Sequence, residues 1–376
     1  MTATTEERAG RDPDLPPPAA TTGLVGWLRQ RLFSSWANTA ATVAILLLLF
    51  YIVPPFLDWA IFSATWEGVT REPCNTAEGV DKPGACWTMV NARFGQFMYG
   101  FYPADQRWRV DIAFILMFVA IFALLIDRVP GKKWWALFLF VIYPVIGFAL
   151  FQGGLLGLPL VETRLWGGLM LTFIVGLVAI VTSLPIGILL ALGRRSNMPV
   201  IRMLSITFIE FVRGVPLITV LFMSSVMLPL FLPTGMNFDK LLRALVGYSL
   251  FAAAYMAENV RGGLQAIPKG QYEGAMALGL GYWKMMGFVV LPQALRISIP
   301  AIVNEFIGLF KDTSLVIVIG LFDLLNIVQT ATRDAQWRGL ANEGYVFAAL
   351  VYFVFCFGMS RYSIYLENKL RTGYRR

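Results

Sequence analysis

With 376 residues, 57% of them hydrophobic and 14% aromatic, the chain carries more apolar surface than a soluble domain of that length buries, and it reads as an all-α, polytopic membrane protein. Its formal net charge of +8 carries no nucleic-acid meaning, because surplus Lys and Arg in such a chain first set topology. The absence of histidine removes imidazole metal ligands, histidine general bases and histidine pH switches, and the three cysteines form no CxxC pair.

Residues 1–35 are polar and proline-rich, with Pro16, Pro17 and Pro18 in a row, and read as a disordered tail. A cleaved signal peptide is not expected, since a short basic region would lead directly into the apolar run. Runs of roughly twenty mainly apolar residues, the length of a membrane-crossing helix, fall at 37–57, 110–127, 134–151, 167–191, 215–232, 241–258, 299–322 and 343–360. Eight spans put both termini on one side. The tails and the connections after the second, fourth and sixth spans hold 20 of the 31 Lys and Arg, which makes that side cytoplasmic. Trp59, Trp66, Trp134, Trp135 and Trp166 stand near span ends, as interfacial aromatics do in contact with lipid headgroups.

The organisation read from this is a cytoplasmic tail 1–35, a three-helix extension 36–164 with an external loop 58–109, a core 165–366 and a second tail 367–376. Cys74 and Cys86 share the external loop on the oxidising side. Their spacing leaves open both a disulfide that orders the loop and two free thiols. Cys356 reads as a small packing residue. In the fourth span Pro185 predicts a kink, while Gly176 and Gly187 suit close helix packing. Glu210 and Arg213 stand three apart and are expected to pair before Gly214 and Pro216 redirect the chain.

The connection 259–298 is the longest polar interruption in the C-terminal half. Gly262, Gly263 and Pro268 break the chain, Gln271 to Leu278 is a good helix former, Gly279 and Gly281 turn it, and Tyr282 to Val290 forms a second short helix. Trp283, Met286 and Val290 are expected on one face of that second piece. An exposed apolar face of this kind needs a protein groove or the membrane interface to cover it.

Within that connection, Glu273-Gly274-Ala275, Gly279 three residues on, and Val289-Val290-Leu291-Pro292 after nine more follow the pattern EAA, x3, G, x9, I-x-LP. The segment resembles the EAA-type loop of bacterial ABC importer permeases, with Gly274 in place of Ala and Val289 in place of Ile. The flanks narrow this. Tyr255-Met256-Ala257-Glu258, Arg261-Gly262-Gly263, Gly270-Gln271, Pro292-Gln293-Ala294 with Arg296, and Lys311-Asp312-Thr313-Ser314-Leu315 are similar to the polar-amino-acid branch, which handles histidine, glutamine and arginine. Phe211 and Arg213-Gly214-Val215-Pro216 resemble that branch's FRGTP motif, with Val215 for Thr and Val212 inserted. The match covers roughly residues 165–366. The extension before it resembles that of general L-amino-acid permeases.

The resemblance implies a type I ABC importer permease fold in the bacterial inner membrane, working by alternating access. It implies a dimer of ATP-binding subunits carrying ATP and Mg, a periplasmic amino-acid-binding protein, and a second homologous permease, commonly as a heterodimer. This chain contains no G-x-x-x-x-G-K-[ST] loop to cradle ATP phosphates. No cofactor is expected in it, and no catalytic constellation, so it reads as a membrane subunit and not an enzyme. In the resemblance, Glu273 is a polar contact of the coupling helix, Ala275 a close-approach residue, Gly279 the turn and Leu291-Pro292 a re-entry elbow. The bland alternative is a solvated loop held only by its own chain.

Inside the seventh span Asn304, Glu305, Lys311, Asp312, Thr313 and Ser314 interrupt apolar sequence. Charges within a span face a water-filled cavity or one another. Residues of both signs suit an amino acid, which carries a carboxylate and an ammonium; bracing of neighbouring helices is the alternative. Two other classes stay in view: an ion-coupled secondary amino-acid transporter, and a membrane scaffold that moves no substrate.

Overall fold

The computed structural model describes residues 23–75, 84–154, 157–233 and 238–371. The chain forms two compact units, one of Met1–Trp66 with Glu72–Trp87, the other of Glu67–Arg71 with Thr88–Arg376.

In the first unit, helix α1 (Gly23–Arg31) occupies part of the stretch expected to be a disordered tail; residues 1–22 lie outside the described residues. Ser35 then caps α2 (Trp36–Leu57) by accepting a bond from the Asn38 amide at 3.2 Å. None of the α2 residues is buried. A helix apolar on every side is matched to lipid. Pro54 and Pro55 each remove a helical donor, and the run continues through a π-helical turn to Phe62. Beyond it, the short α3 (Glu72–Asn75) carries Cys74, which is disulfide-bonded to Cys86 with Cα atoms 5.8 Å apart. The Thr65 amide donates to the Ala85 carbonyl at 2.8 Å and the Trp87 amide to the Thr65 carbonyl at 2.9 Å. The Trp87 indole donates to the Ala60 carbonyl, and Trp66 stacks on Trp87 at 5.6 Å.

The second unit begins with α4 (Thr88–Tyr99) and α5 (Arg107–Leu125). Lys132 closes the end of α5 by donating to the carbonyls of Ala123, Leu124 and Ile126. It also opens α6 (Lys132–Leu137), which a π-helical turn joins to α7 (Tyr143–Gln152). Phe114 and Phe118 of α5 each meet Phe173 of α8 (Gly168–Arg194) at 5.5 Å, so α5 packs directly on α8. Helix α9 (Pro199–Arg213) and the run that starts with α10 (Leu217–Phe222) are bent by 107° at the break. Gly214 and Pro216 do redirect the chain there.

Helix α11 (Lys240–Gln265) lies against α8 and buries fourteen of its residues. It is followed by α12 (Lys269–Ala277), α13 (Tyr282–Met285), α14 (Leu291–Asp312), α15 (Leu324–Arg333) and α16 (Ala341–Arg371). Buried Asp323 accepts from the Asn326 amide at 3.1 Å and from the Tyr352 hydroxyl at 2.7 Å, which fixes the start of α15.

Eight apolar spans were expected. Among the described residues six helices are long and apolar enough to cross a membrane, or seven if the bent pair α9–α10 is one span. The eighth, at 241–258, is α11. Its 26 residues give about 39 Å of helix at 1.5 Å per residue. It carries Lys240, Arg243, Glu258 and Arg261, and fourteen of its residues are buried against protein, where a helix need not be apolar throughout.

Candidate functional site

The connection 259–298 is anchored on one side and bare on the other. Pro268 starts α12 after α11 ends, and the reverse turn behind α12 is closed by two bonds, Gly279 amide to Met276 carbonyl at 2.9 Å and Leu280 amide to Ala275 carbonyl at 3.2 Å. Gly279 takes φ +72°, the left-handed conformation that a side chain would strain. Ala275 is buried in a cluster with Met256, Val260, Leu264, Met285, Met286, Val290 and Ala294. Gln293 of α14 ties α12 to that helix, donating to Gln271 at 3.0 Å.

The opposite side faces outward. Met276, Leu278, Trp283 and Phe288 are 57%, 81%, 72% and 78% exposed, and Glu273 is exposed among them. At Gly274 and Gly281 a Cβ would meet nothing within 4 Å.

Two expectations for this segment are corrected. Trp283 does not share a face with Met286 and Val290, which are 4% and 0% exposed. A π-helical turn at Met286–Val290 adds a residue to that turn and puts Met285 in the buried set in place of Trp283. Nor do Leu291 and Pro292 form an elbow. The helical run is continuous from Tyr282 to Ile319, and Pro292 follows directly on the π-helical turn at Met286–Val290.

At the ends of α8, α9 and α11 the charges converge. Glu210 does not pair with Arg213; it accepts from Arg194 at 2.7 Å. The same Arg194 nitrogen donates to Glu258 at 2.8 Å, Arg261 reaches Glu258 at 2.6 Å, and Arg213 stands 3.7 Å from it. Glu258 lies on α11, which is packed between α8 and α9, and so collects arginines that sequence separation kept apart. Arg194 and Arg195 were legible only as topology signals.

The polar set on α14 is placed as follows. Asn304, Lys311 and Asp312 are exposed, Glu305 and Ser314 half-buried, and Thr313 buried, donating to the Phe310 carbonyl at 2.9 Å. The α-helix ends at Asp312 and continues as a 3-10 helix over Thr313–Ile319, held where Asn326 donates to the Ser314 carbonyl at 2.9 Å. Among the described residues, Glu305, Lys311 and Asp312 form no salt bridge.

Residues 183–372 match the family described as binding-protein-dependent transport system inner membrane component. The chain is 57% identical over 347 residues to the inner membrane amino-acid ABC transporter permease protein YhdY of Escherichia coli K12, covering 92% of this chain and 93% of that one. It is 42% identical, over 96% of each chain, to the glutamate/glutamine/aspartate/asparagine transport system permease protein BztC of Rhodobacter capsulatus. A crystal structure of an amino acid ABC transporter with histidines is similar at 31% identity and a TM-score of 0.48, over 54% of this chain and 92% of that one. The chain belongs to the binding-protein-dependent inner-membrane transport family: it is a multi-pass permease subunit of an ATP-driven amino-acid importer, whose ATP is hydrolysed by a partner subunit.

Proposed function

We propose that this permease imports polar L-amino acids, and that it receives energy through the outward face of α12, α13 and the π-helical turn that follows. The observation that carries the second part is the division of residues there. Ala275, Met286 and Val290 lock the segment to the bundle, leaving Glu273, Met276, Leu278, Trp283 and Phe288 for a partner. An apolar rim around one carboxylate suits the groove of an ATPase subunit, and Gly274 and Gly281 let backbone approach it. Glu273 is the polar contact and Gly279 holds the turn, with Leu291 and Pro292 starting the helix that leads into the membrane.

The substrate class is supported by the amino acids in the BztC name and by Glu305, Lys311 and Asp312, charges of both signs on one helix. With Asn304, Thr313 and Ser314 they line the pathway. The excess of basic residues in the tails and the connections after the second, fourth and sixth spans supports cytoplasmic termini. A periplasmic binding protein delivers substrate to the opposite face, and a second, similar permease completes the pathway as a heterodimer. Glu273→Arg tests the docking surface. It is expected to release the ATPase on purification or to abolish uptake with the ATPase still bound; parental assembly together with parental uptake would contradict it.

A further inference from the structure

The last turn of α8 carries two adjacent arginines whose side chains part. Arg194 turns to α9 and α11 through Glu210 and Glu258. Arg195 turns to the docking helix. Its Nη1 donates to the Leu264 carbonyl at 3.2 Å and to the Tyr272 hydroxyl at 3.1 Å, and its guanidinium lies over the Tyr272 ring, 5.6 Å from the centroid. The Tyr272 hydroxyl donates in turn to the Leu264 carbonyl at 3.3 Å. Tyr272 stands one residue before Glu273, and because α12 presents Glu273 outward, it presents Tyr272 to the chain's own core.

We infer that Arg194 and Arg195 form a yoke that turns displacement of the docking helix into movement of α8, α9 and α11, with Tyr272 as its point of attachment. This inference rests on the docking reading above. Three features support it. α12 is only nine residues long, and Tyr272 joins Ala275 and the Gln271 contact in holding it to the bundle. Arg195 spans two elements at once, so pushing α12 loads the end of α11 and the end of α8 together. Arg194, its neighbour on the same backbone, holds both carboxylates of the ion cluster, so the load does not stop at α8. Pairs of both kinds are directional, which makes them a lever and not merely adhesion.

Tyr272 and Arg195 are therefore positioning residues, and the readout is the ratio of amino acid taken up to ATP hydrolysed. The assembled importer, reconstituted in liposomes with its binding protein, is compared with Tyr272→Phe, which removes one oxygen and keeps the ring, and with Arg195→Gln. Each is expected to lower the ratio about tenfold, the scale of one lost charge-assisted hydrogen bond, with the ATPase still copurifying. Because the two residues share one contact, the double variant should be no worse than the poorer single one. Parental ratios in Tyr272→Phe, or effects that multiply in the double variant, would overturn the yoke; should Arg195→Gln fail to accumulate, Tyr272→Phe alone decides. Glu273→Arg run in parallel separates the two levels. If it releases the ATPase while Tyr272→Phe couples normally, the docking surface stands and the yoke falls. If it assembles and transports like the parent, the docking reading fails and takes with it the yoke's source of motion.

Discussion

Gly187 sits on α8 directly against Met256 and Ala257 of α11, and replacing it by alanine gives a quantitative test of how this bundle is held. A Cβ there would lie 2.7 Å from Met256 Cβ, 2.8 Å from Met256 Cγ and 3.0 Å from the Ala257 amide nitrogen. Carbon pairs pack at about 3.5–4.0 Å, so the helices must separate by roughly an ångström, and the obstructing atoms are backbone or next to it, unable to rotate away. Overpacking of this kind costs about 1–3 kcal/mol, against a gain of about 1 kcal/mol from the higher helix propensity of alanine. The net loss is up to about 2 kcal/mol. Gly176, on the same helix, is the control: its Cβ would meet the edge of the Phe310 ring at 3.3 Å and Thr313 Cγ2 at 3.6 Å, where a few tenths of an ångström of ring motion suffice. Gly176→Ala should therefore be neutral or gain up to about 1 kcal/mol. Thermal unfolding of the detergent-solubilised protein, followed by loss of near-ultraviolet circular dichroism, measures both. Equal stability of the two variants would refute the claim that the α8–α11 contact is set by backbone approach through a small residue.

Two further predictions concern the ends of the molecule. Without reductant, thiol labelling of the denatured full chain should detect Cys356 alone; opening the Cys74–Cys86 loop, whose ends are 12 positions apart, should lower the stability of its unit by about 3 kcal/mol on the chain-entropy scale. Detection of all three thiols would contradict the bond. At the other end, the hydrogen bond from Lys369, then that from Tyr365, holds Asp127 below the usual carboxylate range. A carboxylate depressed in the folded state contributes stability above its unfolded pKa of about 4, lost as pH falls through the lower folded value. A distance probe between the α5–α6 connection and the end of α16 should thus read unchanged from neutral pH to about 5 and lengthen only below about 4; lengthening at pH 6 would sink that assignment.

Legibility followed the physics of each element. The lipid-facing spans were plain because a helix covered by lipid must be apolar all round, as α2 is. The glycine-rich turn at Gly279 was equally plain, since a positive φ restricts the residue that fills it. Helix α11 shows the limit. Its charges look unsuited to a span until Arg194 of α8 and Arg213 of α9 are found beside Glu258, a pairing across long sequence separations that no local pattern encodes. The Glu210–Arg213 pairing failed for the same reason: spacing of three allows a contact, and a better-placed arginine took it. Trp283 was assigned to the wrong face because a π-helical turn shifts register without a sequence signature as strong as proline or glycine. Tyr272 drew no notice beside Glu273, since only the fold brings Arg195 to it.

The account's central claim is that this chain moves amino acids only when a separate ATPase drives it. The direct measurement is uptake of labelled amino acids by proteoliposomes that hold this permease together with the second permease proposed above, with a binding protein present, comparing ATP-loaded ATPase subunits with an imposed proton or sodium gradient and no ATPase. The account predicts uptake with the ATPase and ATP and none on the gradient alone; gradient-driven accumulation without the ATPase would contradict it.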